Sequence, residues 1–150
     1  MDDIMIRELT PEDLGRVNAL MSCDNSLRPE GILATGARYW GAFGEDGLVG
    51  MIGCEYQNGR GLLRSALVHP RHRGEGLGRR LTEHLIGDSR SMGLRVIYLF
   101  STDAGPYWER LGFRRVPVRE VTDAMPDAPQ VRLFHGLGWL PTEVAYALYL

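Results

Sequence analysis

Lysine is absent from the 150 residues, and all 17 basic side chains are arginine. A P-loop closes on Gly-Lys-Ser/Thr, so that phosphate motif is excluded. Cysteine is scarce. Cys23 and Cys54 stand far apart without metal-ligand spacing, so neither a disulfide framework nor a zinc cluster is expected, and free thiols in a reducing cytosol are. No apolar run approaches the roughly 18 residues that a membrane span needs. The Met1-Asp2-Asp3 start is acidic, unlike a secretory signal, so a cytoplasmic location is expected. Strong charge of one sign is also missing: the formal net charge is −2, and neither nucleic acid nor an anionic membrane is an expected partner. There are no repeats, low-complexity tracts or linkers. The length suits one domain over residues 1–150, able to bury about 70% of its unfolded surface.

What the chain does have is the stretch Val68-His69-Pro70-Arg71-His72-Arg73-Gly74-Glu75-Gly76-Leu77-Gly78-Arg79-Arg80. An apolar run precedes it and an amphipathic run follows, which predicts strand, glycine-rich turn, helix. Such a turn aims backbone N–H groups at one point, and the helix N-terminus adds about half a positive charge. Gly74, Gly76 and Gly78 remove the Cβ atoms that would hold a ligand off. Arg71, Arg73, Arg79 and Arg80 add cationic side chains. The chemistry implied is phosphate binding, a pyrophosphate above all. A dinucleotide fingerprint would read G-x-G-x-x-G with an acid roughly 20 residues on. Here the spacing is G-x-G-x-G, and the apolar run over residues 96–100 carries no acid. A plain glycine turn before a surface helix is the structural alternative.

The third spacing is Arg-x-x-Gly-x-Gly, met by Arg73, Gly76 and Gly78. It resembles the acetyl-CoA signature of the GCN5-related N-acetyltransferase (GNAT) superfamily. Leu63-Arg64-Ser65-Ala66-Leu67-Val68-His69-Pro70 is similar to the family's fourth strand and the proline that ends it. Trp108-Glu109-Arg110-Leu111-Gly112-Phe113 resembles its second landmark, usually Tyr-Glu-Lys-Leu-Gly-Phe. The likeness is good over residues 48–115, and the first 35 and last 35 residues match only in outline. It is nearest to bacterial amino-acid and arsenic-operon N-acetyltransferases.

The resemblance implies an α/β fold: a mixed, mostly antiparallel sheet with a splayed pair of parallel central strands and helices on both faces. It implies acetyl-CoA as cosubstrate, no metal, and direct acetyl transfer to the primary amine of a small molecule without a covalent enzyme intermediate. Ala66, Leu67, Val68, Arg73, Gly74, Glu75, Gly76, Leu77, Gly78, Arg79 and Ser101 would bind the cofactor. An amino acid or similar molecule is the favoured acceptor. Acetylation of a protein or peptide, and a non-catalytic acyl-CoA sensor, are the alternatives, and a homodimer stays open.

Along the chain, residues 4–9 read as an edge strand. Thr10-Pro11-Glu12-Asp13 then opens a helix, with Thr10 as N-cap and proline in the first turn. Leu14, Val17, Leu20 and Met21 form its apolar stripe. Residues 23–28 read as a turn and 29–34 as a short helix. Strands over 38–43, 48–56 and 62–68 are joined by glycine turns into a meander. The helix after the loop places Leu77, Leu81, Leu85 and Met92 on one face, and Gly93 ends it. A strand over 95–100 should run parallel to the one before the loop, because a helix intervenes. A short helix over 104–111, a strand over 113–116, helix and loop over 118–138, and a last strand over 144–150 complete the reading.

Candidate chemistry is sparse, as direct transfer allows. Proximity supplies on the order of 7–11 kcal/mol in favourable cases. Residues 61–68 hold no acid. Glu55, in Gly53-Cys54-Glu55-Tyr56, is the nearest carboxylate and the candidate base, with a solvated edge carboxylate as the alternative. The family's usual acid, a tyrosine four residues before Gly112, is here Trp108. Tyr107 is the neighbouring candidate, although one helical step turns it by about 100°. Arg64 is a candidate for a substrate carboxylate or a plain strand charge. Ser101 is a candidate helix cap or pantetheine contact. His69 and His72 lack a third ligand nearby, so no metal is expected; His84 and His135 read as surface or packing residues.

Overall fold

The computed structural model describes residues 3–23 and 36–150. Seven strands are present among them: β1 (Met5–Glu8), β2 (Ala37–Gly44), β3 (Gly47–Gln57), β4 (Arg60–Val68), β5 (Val96–Phe100), β6 (Arg114–Val116) and β7 (Ala145–Tyr149). Five α-helices accompany them: α1 (Leu14–Met21), α2 (Leu77–Ser91), α3 (Gly105–Arg110), α4 (Val118–Ala124) and α5 (Pro129–Leu137). The strands pair in the order β1-β2-β3-β4-β5-β7-β6. β4 and β5 are parallel, in register from Arg60↔Val96 to Leu63↔Leu99. β1 with β2, β5 with β7 and β6 with β7 are antiparallel. This is the mixed α/β sheet expected, with its parallel pair. The expected helix over residues 29–34 lies outside the described residues.

The chain forms two compact units, one of Met1–Cys54 with Ser65–Ile86 and the other of Glu55–Arg64 with Gly87–Leu150. In the first, Leu9, Val17, Leu20, Met21, Tyr39, Leu48, Met51 and Leu67 build the core. The helical segment after Thr10 begins as a 3-10 turn over Pro11–Asp13 before α1. Val17, Leu20 and Met21 are buried, whereas Leu14, expected inside, stands at the first position of α1 and is 45% exposed. Asp13 is buried and anchors the segment. Arg7 donates to both its oxygens at 3.0 and 2.9 Å, and the Thr10 N–H donates at 2.9 Å. Those donors hold the Asp13 carboxyl well below the usual carboxylate range. Leu77, Leu81 and Leu85 are buried as expected, whereas Met92 is 45% exposed because α2 stops at Ser91.

In the second unit the core is Leu62, Val96, Tyr98, Val116, Val121, Met125, Ala128, Val131, Ala145 and Ala147. The turn into β4 has Asn58 and Gly59 both at positive φ (55° and 73°), the two-residue hairpin geometry that Asn-Gly favours. Glu120 on α4 accepts from the Tyr98 and Tyr149 hydroxyls, tying that helix to β5 and β7. Asn58 donates to the Ala124 carbonyl at 3.2 Å, and the Gln57 side chain accepts the Asp127 N–H at 2.8 Å. These bonds fix the segment between β6 and β7 over the hairpin.

Candidate functional site

The glycine loop is held from below. The His69 ring accepts the Arg71 N–H at 3.1 Å, closing a 3-10 turn over Pro70–His72. The Arg73 guanidinium folds back and donates to the Val68 carbonyl at 3.1 Å. His72 lies between two carboxylates, with Nδ1 3.3 Å from Glu75 and Nε2 3.3 Å from Asp46. Gly74 and Gly76 then take φ of +85° and +81°. A left-handed residue costs other side chains roughly 1–2 kcal/mol, so glycine is required here by the backbone. The Arg80 N–H closes the first helical bond to the Gly76 carbonyl at 3.0 Å. Gly76 is therefore the N-cap, and Gly76, Leu77, Gly78 and Arg79 supply the four N–H groups that a helix start cannot bond internally. A Cβ built on Gly74 or Gly76 meets nothing within 4 Å. The loop thus offers an open cradle of backbone donors at a helix N-terminus, which fits a pyrophosphate.

The other predicted cofactor residues divide by role. Leu77 is buried and the Gly78 carbonyl accepts the Thr82 hydroxyl at 2.8 Å. Arg79 donates to Glu83 at 3.0 Å across one turn of α2. On β4, Leu67 lies in the core, Val68 is half-buried and Ala66 is exposed. Ser101 follows β5, and its hydroxyl accepts the Ala104 N–H at 3.1 Å, capping the segment that leads into α3. Its own N–H donates to the Val144 carbonyl at 2.9 Å.

Glu55 and Arg64, expected as base and as carboxylate partner, are brought together with each other. Arg64 Nη1 donates to Glu55 Oε2 at 2.8 Å, with side chains only 5% and 1% exposed. Glu55 Oε1 accepts the Gln130 N–H at 2.9 Å, and Gln130 Nε2 reaches the Leu63 carbonyl at 3.5 Å. Gln130 comes from the first turn of α5. Sequence reading missed it, and nothing in the sequence signals a bond across 75 residues. Beside this pair, Ser65 has φ +57° within β4. A left-handed serine in mid-strand is uncommon and marks a kink or bulge. The β4–β5 register ends two residues before it, at Leu63↔Leu99. Serine is not a residue type that advertises positive φ, so this too had no signal.

Trp108 is buried, with its ring edge-on to Tyr107 at 4.9 Å and to Phe113 at 5.6 Å. Tyr107 is half-buried on the adjacent helical step. His84 is exposed and touches Trp40 edge-on, and His135 is exposed near the end of α5.

The sequence profile of the Acetyltransferase (GNAT) family matches residues 5–113. The chain belongs to this family. As a GNAT protein it is an acyltransferase, with acetyl-CoA as cosubstrate. None of the curated proteins matches it significantly. Solved GNAT structures share its fold at low identity. An acetyltransferase from Staphylococcus aureus Mu50 superposes with TM-score 0.76 at 20% identity, over 98% of this chain and 99% of that one. N-acetylglutamate synthase from Neisseria gonorrhoeae, complexed with coenzyme A and N-acetyl-glutamate, gives TM-score 0.78 at 18% identity over 98% of this chain. The present chain covers 35% of that enzyme's length. The ribosomal-protein-S18-alanine N-acetyltransferase from Escherichia coli gives 0.73 at 17%, over 97% of this chain and 93% of its own.

Proposed function

We propose that this GNAT protein acetylates the primary amine of a small acceptor, an amino acid or a molecule like one, by direct transfer from acetyl-CoA. The observation that carries the cofactor half of the reading is the cradle at Gly74 and Gly76 with its helix N-terminus. Backbone N–H groups of residues 73–79 hold the pyrophosphate, and the surrounding arginines add long-range attraction. Bound acetyl-CoA supplies an activated thioester, whose acetyl group passes to the amine as the thiolate departs. The chain's own contribution is mainly to hold the two reactants in contact. Tyr107 is the remaining hydroxyl candidate for the thiolate, and solvent can serve equally.

The Glu55–Arg64 pair supports a positioning role. Two buried charges that satisfy each other leave little for a substrate, and Gln130 draws α5 into the same arrangement. An amino-acid acceptor is supported by the gonococcal neighbour, whose product is N-acetyl-glutamate. A second reading, acetylation of a protein N-terminus, is supported by the Escherichia coli neighbour, which matches over nearly its whole length.

The test is a thiol-release screen with acetyl-CoA across amino acids, aminoglycosides, polyamines and peptides. Turnover with amino acids is the expected result. Peptide turnover alone establishes the second reading. Tight acetyl-CoA binding with no turnover identifies an acyl-CoA sensor, and no binding removes the cradle assignment.

A further inference from the structure

An open cleft of about 460 Å³ lies in the second unit, lined by Arg115, Val116, Pro117, Val118, Glu143, Val144 and Ala145. Its position follows from strand register. β7 begins at Ala145, opposite both Phe100, the last residue of β5, and Val116, the last of β6. The cleft therefore sits where the carboxyl ends of β5 and β6 meet the start of β7. That is the edge of an α/β sheet at which ligands commonly bind. The Val144 carbonyl on its wall accepts the N–H of Ser101, at the end of β5.

We propose that this cleft is the acceptor pocket, taking a free α-amino acid with an apolar side chain: the α-carboxylate pairs with Arg115 and the α-ammonium with Glu143. The proposal rests on the acetyltransferase reading above and names the acceptor class and the residues that choose it. Three observations carry it. The cleft presents one cation and one carboxylate, and the side chain of neither is hydrogen-bonded or ion-paired among the described residues. Its accessible apolar wall is Pro117, Val118 and Val144, with Val116 and Ala145 packed behind in the core, and this wall suits an aliphatic side chain. The charged pair first read as the recognition site, Glu55 with Arg64, is occupied within itself. Burial alone raises the Glu143 carboxyl above its ordinary value, as expected of a carboxylate lacking a cation that a bound ammonium would supply. A peptide N-terminus offers the ammonium but no adjacent carboxylate, so Arg115 discriminates against it.

The experiment uses the full chain with L-leucine, L-leucinamide and 3-methylbutylamine, in wild type, Arg115→Ala, Arg115→Lys and Glu143→Gln. Binding is read by titration calorimetry with coenzyme A present, where no transfer can occur. Turnover is read separately by thiol release, and melting temperature checks folding. L-leucine should bind wild type about 10–100-fold more tightly than either neutral-ended analogue, the scale of one lost charged hydrogen bond. Arg115→Ala should erase that preference by weakening L-leucine alone, and Arg115→Lys should restore part of it. Glu143→Gln should weaken all three amines together. Equal L-leucine affinity in wild type and both Ala and Gln variants overturns the proposal, as does failure of L-leucine to bind wild type. Turnover of other amines in that last case leaves the acetyltransferase reading intact. Leucine binding without turnover of any amine instead fails that reading while keeping the pocket.

Discussion

The glycine loop and the Glu55–Arg64 pair are both polar centres of this chain, and they are built in opposite ways. The loop presents backbone donors at the start of a helix, and its special geometry lies at two glycines. The pair uses side chains nine residues apart and a third partner 75 residues away, with almost no exposure. The loop faces open space and invites a ligand; the pair is closed on itself. A short sequence pattern can therefore announce the first kind of centre, while the second comes into being only when the chain has folded.

The comparison can be broken at the pair. Arg64→Ala leaves a fully buried carboxylate without its cation, and should destabilise the protein by about 3–5 kcal/mol in denaturant titration. Replacing both partners, as Glu55→Leu with Arg64→Met, should recover most of that loss. A small effect of the single change would show that the pair is solvated and open to substrate. At the loop, Gly76→Val should weaken acetyl-CoA binding about a hundredfold or more by calorimetry, because the side chain enters the cradle. It should cost only about 1–2 kcal/mol of stability through its left-handed backbone. Unchanged affinity would move the pyrophosphate elsewhere.

Asp13 lies between the two extremes, since its cation Arg7 is six residues away and its turn partner three. Its folded carboxyl is held below the unfolded value. Its contribution is thus present above the unfolded carboxylate pKa of roughly 4 and is lost as pH falls below that. Arg7 is 39% exposed, so screening reduces the gain. Asp13→Asn should cost about 1–2 kcal/mol at pH 7, and the gap from wild type should narrow on acidification below about pH 4. A gap constant with pH would remove the ion pair from the account. The smallest effect is expected at Tyr107. Tyr107→Phe should change kcat by less than about threefold if solvent protonates the thiolate, against roughly 10²–10⁴ for a general acid. A large loss would show that local reading had found the acid one step from its usual place.

Most of the fold was legible because its elements announce themselves locally. Asn58-Gly59 specified a hairpin turn, Leu77, Leu81 and Leu85 a helix face, and Gly93 its end. The parallel run of β5 beside β4 followed from the helix between them. Leu14 and Met92 went astray at helix boundaries, Leu14 at the first position of α1 and Met92 one residue past the end of α2. At the candidate site, the loop was legible for the reason given above. The bond from Gln130 to Glu55, the left-handed Ser65 and the place of Arg115 and Glu143 on the walls of one cleft were not. Each depends on tertiary neighbours or on a backbone angle that the residue type does not prefer.

The place of β7 has a consequence for how the chain matures. It follows β6 in sequence but lies between β5 and β6 in the sheet. During synthesis from the N-terminus, β5 and β6 emerge first and cannot pair with each other in their final places. Each waits with an open edge until residues 145–149 leave the ribosome. At about 5–20 residues per second, the stretch from Val116 to Tyr149 takes seconds to appear. In that interval the apolar β5 edge, Val96-Ile97-Tyr98-Leu99-Phe100, is a template for pairing with another nascent chain. The arrival of β7 closes both edges at once.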